Sequence, residues 1–359
     1  MKATLAIVLF WTLCAGPASI AQATCIGASV NSFGAKGDGQ TDDTAAIQKA
    51  ISAASAAGGG SVVFGVARYL TTGTFVVPAG VVLCGAVEGP FNVAGVNPAT
   101  TAIAPTLLIT NSGAPFLVLQ GIGAGVTDLL FHYRDQVTSS AAAPSVYPYT
   151  IRMRAPGSKV VRSTVTNAYD FLDIEVGRVM AAELLIGAFH TGVFIDHTGD
   201  RVTLRGLSHD VVWDRIEGAT YPRPIDSWVL ANGTALVVAR MDSLEVHDFS
   251  VYSRFTGMLL TDSTDKAQNV TCGYGAGSDI NLDTVQYGIV ISASNSPGYK
   301  FTNVDIGAAP GLGQAAVQVR PGGSLPPKIE INGGSRRGTW AIYDYPPAAA
   351  DTVIVNILP

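Results

Sequence analysis

Residues 33–51 read Phe-Gly-Ala-Lys-Gly-Asp-Gly-Gln-Thr-Asp-Asp-Thr-Ala-Ala-Ile-Gln-Lys-Ala-Ile. A strand is expected to end at Phe33, with Gly34, Gly37 and Gly39 supplying a turn that needs positive φ or close backbone approach. Thr41, Asp42 or Asp43 then stands where a side-chain oxygen can cap the N–H groups of a following helix. Ala46, Ile47, Ala50 and Ile51 recur at helical spacing, so that helix has one apolar face to bury. Beyond it, Gly58-Gly59-Gly60-Ser61-Val62-Val63-Phe64 reads as a turn followed by a strand.

Further along, short strands repeat. One series comprises Val161–Val165, Ala182–Ile186, Thr203–Leu207, Leu244–Phe249, Val270–Cys272, Phe301–Ile306, Ile329–Ile331 and Val353–Val355; a second interleaves with it through Leu172–Ile174, Val193–Ile195, Leu236–Val238, Met258–Leu260 and Ile289–Ile291. Val165, Ile186 and Leu207 are each 21 residues apart, as are Leu172 and Val193. A period near 20 residues with two short strands per period predicts a solenoid of stacked parallel strands, alternate residues pointing inward. Leu172, Val193, Leu236, Met258 and Ile289 form one predicted inward column. Less regular coils are read earlier, at Phe75–Val77, Val81–Leu83, Leu107–Ile109 and Phe116–Val118.

The stretches 33–51 and 58–64 together resemble the opening of the pectate lyase superfamily related to glycoside hydrolase family 28. The resemblance implies an all-β, single-stranded right-handed parallel β-helix with a short N-terminal capping helix. It also implies a secreted protein acting on a polysaccharide, by hydrolysis or by β-elimination. The family's hydrolytic motifs (Asn-Thr-Asp, Asp-Asp, Gly-His-Gly and Arg-Ile-Lys) are absent from the expected coils. Asp42-Asp43 belongs to the cap, and Arg215-Ile216-Glu217 lacks the final Lys.

Lys2, the apolar run Leu5–Leu13 and the small residues of Ala21-Gln22-Ala23 predict a secretion signal over residues 1–23. One β-helix domain then spans 24–359, its cap occupying about 24–57, and the location is extracellular or periplasmic. Charged residues are 14% and hydrophobic residues 48%, yet no apolar run after the signal is long enough to span a bilayer, so the excess must line a continuous interior. The net charge of −5 argues against a nucleic-acid partner. Cys25, Cys84 and Cys272 remain after processing, an odd number that permits one bridge; Cys25 with Cys84 would staple the cap to the first coils, and whether they meet is left open.

Because a β-helix interior is packed, substrate must lie outside, between loops. Insertions at 132–150 and 209–233 bring Tyr149, Trp213, Arg215 and Trp228, whose rings and charges suit a sugar's C–H faces and hydroxyls. Aligning Leu172-Asp-Ile174 with Val193-Phe-Ile195 puts Glu175 beside Asp196, roughly 5 Å apart on neighbouring coils. That spacing fits the acid and nucleophile of a retaining glycosidase, so Glu175 and Asp196 are the predicted catalytic pair. Asp173, His197, Arg240 and Asp262 adjoin it as substrate-binding candidates. His190 and His209 are secondary candidates next to turns, whereas His247 reads as a solvent-side strand residue. No residues have zinc-site spacing, and no cofactor is expected. Under a lyase reading the resemblance implies an Arg or Lys base and acidic residues often working with calcium, Arg240 with Asp262 and Asp196 filling that scheme. A third reading is a non-catalytic carbohydrate-binding or surface-attachment protein. Side-by-side association of chains is left open.

Overall fold

The computed structural model describes residues 25–210, 222–265, 267, 271–320, 322–338, 341–344 and 353–358. Its strands join in one continuous system of 22, every pairing parallel. Three sheets run along the molecule. One passes through Gly60–Phe64, Val81–Gly85 and Gly125–Thr127 and on to Val353–Leu358. A second starts at Asp38–Asp42 and Ala67–Thr71. The third, which matters most below, stacks Phe75–Val77, Leu117–Leu119, Ile151–Met153, Leu172–Ile174, Val193–Ile195, Leu236–Val238, Met258–Leu260 and Ile289–Ile291. The fold is the right-handed parallel β-helix.

The predicted inward column stands as read: Leu172, Val193, Leu236, Met258 and Ile289 are partners in register and fully buried. Two details of the first series differ. Ile186 pairs with His209, and Leu184 with Leu207, so this coil has 23 residues. A two-residue offset leaves every side chain on the same face, so hydrophobic pattern alone does not detect it. The strand stacked on Leu244–His247 is Gly275–Ser278; Thr271 and Cys272 lie in the preceding loop, and Val270 falls outside the described residues.

Long strands such as Leu244–Leu260 and Gly275–Ile291 turn a corner without breaking the ladder. The corners of these two strands are single residues with positive φ. Arg162, Glu183, Gly206, Asp248, Asp279, Asn303 and Gly333 form one such row, coil over coil, with φ between 44° and 77°. Asp, Asn and Gly tolerate this left-handed region, while β-branched residues pay most. Thr284, φ 54°, occupies the next corner. Thr284→Gly is expected to raise stability by about 0.5–1 kcal/mol, the relief of left-handed strain exceeding glycine's entropy cost. A urea-unfolding midpoint below that of the unchanged protein would contradict this.

The N-terminal end is closed by the helix Thr44–Ala56, which buries Ile47, Ala50, Ile51 and Ala54 over the first coil. Asp43 sits at its N-cap, yet its carboxylate turns back to accept the Lys36 and Gly37 N–H groups at 2.6 and 3.0 Å. The Thr44 N–H is met instead by Asp42, at 3.0 Å. Gly34, Gly37 and Gly39 all have positive φ, as the turn requires. Val30–Phe33 is a 3₁₀ turn after the strand Gly27–Ser29, so the strand ends earlier than expected. Cys25 and Cys84 form a disulfide with Cα atoms 6.2 Å apart, tying the cap to the second coil; Cys272 is buried and free of disulfide. Among the described residues no helix is long and apolar enough to cross a membrane.

Candidate functional site

The third sheet turns a column of side chains outward: Arg152, Asp173, Phe194, Val237 and Leu259 follow one another on successive strands. Insertions flank it on the side where each strand begins. One, between Tyr133 and Ile151, contains Tyr147 and Tyr149; the other ends in the helix Pro224–Asn232. Loops including 196–201 and 239–243 border the side where the strands end. The outward column is thus a strip set in place by strand register and bordered by loops on both sides, and this strip is called the groove.

Arg152 bridges two carboxylates on its floor, Nε lying 2.8 Å from Asp173 Oδ2 and 3.2 Å from Glu175 Oε1. Arg154 holds the other oxygen of Glu175 at 2.6 Å. Asp173 is the more enclosed acid, its side chain 5% exposed against 24% for Glu175. Burial raises the Asp173 pKa to about 6, helped by the Glu175 charge and by the hydrogen bond the two share, with Arg152 opposing. A proton is therefore held on Asp173 under mildly acidic conditions while Arg154 keeps its partner on Glu175.

Beside this pair, Asp170 Oδ1 accepts the Thr191 N–H and the His190 Nδ1–H, both at 2.8 Å. A carboxylate can only accept, so His190 carries a proton on Nδ1, and in the neutral imidazole Nε2 is then the acceptor. The imidazole stacks on Tyr169 at 4.7 Å between centroids and lies near Trp228 at 6.5 Å. Tyr149 stacks on Phe194 and bonds Thr191; burial, with the charges of Asp170 and Asp173 added, pushes its hydroxyl pKa far up, so it stays neutral. Behind the wall, Arg223 and Asp226 pair at 2.8 Å while buried, fixing the first turn of the helix that presents Trp228.

The predicted catalytic pair needs correction. Glu175 and Asp196 do follow partnered residues, Ile174 and Ile195. Their side chains part, however: Glu175 faces the groove and Asp196 is completely buried. Asp196 Oδ1 accepts the His197 and Arg240 N–H groups at 2.8 and 3.1 Å, and Oδ2 accepts the Thr264 N–H and hydroxyl, each at 3.0 Å. These bonds outweigh burial and hold its pKa below the usual carboxylate value. Saturated and screened from solvent, Asp196 ties three successive loops together and leaves no carboxylate oxygen open to the groove.

The remaining candidates divide. Asp173, Tyr149 and Trp228 line the groove. His197 has φ of 62° at its edge, Nδ1 3.6 Å from Asp196. Arg240 turns its guanidinium to Asp242, and Asp262 accepts the Ser324 N–H and the Thr271 hydroxyl, so these two serve loop structure instead of the predicted Arg240–Asp262–Asp196 scheme. Trp213 and Arg215 lie outside the described residues. His209 is buried edge-on against Phe249, and His247 bonds Ser278 on the strand surface. Asp170, His190, Tyr169, Arg152 and Arg154 complete the site. The 21-residue period already pointed to part of it, since Arg152–Asp173 and Arg154–Glu175 are each that far apart.

Residues 27–108 match the family described as "Rhamnogalacturonase A/epimerase, pectate lyase-like". Alginate lyase 7 of Azotobacter vinelandii is 56% identical over 52 residues, 14% of this chain and 5% of that protein. A mannuronan C5-epimerase of the same bacterium is 58% identical over 45 residues, 12% of this chain and 2% of its own. The chain thus matches only a few per cent of these relatives' length. Among solved structures, the tailspike protein of Escherichia coli bacteriophage HK620, in complex with a pentasaccharide, is similar with a TM-score of 0.51 and 10% identity, over 89% of this chain and 63% of that one. Fold and cap together define a right-handed parallel β-helix whose N-terminal segment is pectate lyase-like.

Proposed function

We propose that this protein is a polysaccharide-cleaving enzyme that hydrolyses glycosidic bonds in the groove of Asp173 and His190. The observation that carries the reading is the proton-holding Asp173, partnered by an Arg-clamped Glu175 and set among aromatic rings. Asp173 donates its proton to the departing glycosidic oxygen. His190, oriented by Asp170, accepts a proton from the attacking water through Nε2. Tyr149, Phe194, Tyr169 and Trp228 offer apolar faces to sugar rings. The pectate lyase-like N-terminal match supports a polysaccharide substrate. Export belongs to the same proposal: residues 1–23 have signal-peptide character, and the Cys25–Cys84 bridge suits an oxidising compartment.

β-Elimination is the second reading, favoured by the guanidinium groups of Arg152 and Arg154 beside a histidine base. Purified protein incubated with a panel of polysaccharides separates the two by product mass. Hydrolysis adds one water per cleavage; products without added water and with a new ultraviolet-absorbing double bond would establish elimination. Intact polymers throughout would remove both.

A further inference from the structure

The guanidinium groups beside Asp173 are already paired. Arg152 lies on Asp173 and Glu175, Arg154 on Glu175, and Arg240 on Asp242. In the first insertion Arg134 makes two bonds to Asp135, at 2.8 and 3.1 Å. Asp170 adds a further acid, bonded to a histidine. These side chains carry no excess of positive charge, and the whole protein carries −5.

From this pairing we infer that the groove is built for an uncharged glycan and discriminates against polyuronates, an inference that rests on the groove being the glycan site. A polyuronate brings one carboxylate per sugar. To meet it, Arg152 or Arg154 would have to leave Glu175, exposing an enclosed acid beside Asp173 and adding like charge where Asp173 already resists ionisation. An uncharged chain asks only for ring faces and hydroxyl partners, which Tyr149, Phe194, Tyr169 and Trp228 and the oriented Asp170–His190 pair provide. Discrimination then comes from what the groove repels as much as from what it attracts.

The test is affinity electrophoresis of the full chain in native gels containing galactan, glucomannan or β-glucan, or polygalacturonate or alginate, at low and high salt. Retardation by at least one uncharged polymer is expected, unchanged by salt because no ion pair forms, with at least tenfold weaker affinity for both polyuronates. Glu175→Gln frees Arg154 and removes one of the two partners of Arg152, and is expected to gain at least tenfold affinity for polygalacturonate at low salt, lost at high salt, with its circular dichroism unchanged. The inference is overturned if a polyuronate holds the unchanged protein as tightly as any uncharged polymer, if no uncharged polymer holds it, or if a folded Glu175→Gln gains nothing. Cleavage of a polyuronate would overturn it while leaving the enzymatic reading intact. Retention by an uncharged polymer without any product would sink the enzymatic reading and leave this one standing.

Discussion

Asp173→Asn is expected to lower turnover by about 10²–10⁴-fold, the usual worth of a positioned general acid. The amide keeps the size of the side chain and can still accept from Arg152, but it has no proton to give. Because burial raises the Asp173 pKa to about 6, activity of the unchanged protein should fall as pH rises through that value. Stability provides an independent sign. A carboxyl with a raised folded-state pKa binds its proton more tightly than the unfolded chain does, so its contribution falls as pH rises from about 4 to about 6. Asp173→Asn should remove that slope, leaving an unfolding midpoint at neutral pH equal to or above the original. A pH–rate profile and urea titrations at several pH values read both effects. Full activity in a folded Asp173→Asn protein would dismiss Asp173 as the acid.

Asp196→Asn should behave in the opposite way, with a loss of stability of about 2–4 kcal/mol and activity failing only as structure fails. Each carboxylate oxygen of Asp196 meets two donors. An amide has one accepting oxygen, so its NH₂ must face either the His197 and Arg240 N–H groups or the Thr264 pair. Buried donors are then left opposed to a donor, which costs more than the loss of a surface bond. The carboxyl's lowered pKa gives the pH sign: its stabilisation is present above the ordinary carboxylate value of about 4 and disappears as pH falls through the lower folded value. Denaturant unfolding with and without the substitution, at neutral and acidic pH, measures both. A variant as stable as the original yet inactive would restore Asp196 to the chemistry.

These two carboxylates show how far linear pattern reaches. Glu175 and Asp196 stand in equivalent places on neighbouring coils, and the 21-residue step finds them. The Asp196 side chain nevertheless turns inward, because loops 44 and 68 residues further along present their N–H groups to it. Periodicity reports where a backbone position falls, whereas the direction of a side chain at a coil's end depends on which distant loop offers a partner. Linear pattern leaves the pairing of Asp170 with His190 hidden for a related reason. The turn-like neighbours of His190 mark only a candidate substrate contact, whereas Thr191 pairs with Asp170 one coil earlier and so brings the imidazole to that carboxylate.

By itself, the order of residues determined the parallel β-helix, its capped N-terminus and the inward column from Leu172 to Ile289. All three arise from short-range rules: alternation along a strand, a repeat near one coil, and glycines where φ must be positive. Tertiary structure alone decided which acids face the groove, which arginines are neutralised there, and that Asp173 keeps its proton to higher pH than a free carboxyl. Those properties depend on desolvation and, Glu175 apart, on charges a full coil away, and distance through space does not follow from distance along the chain.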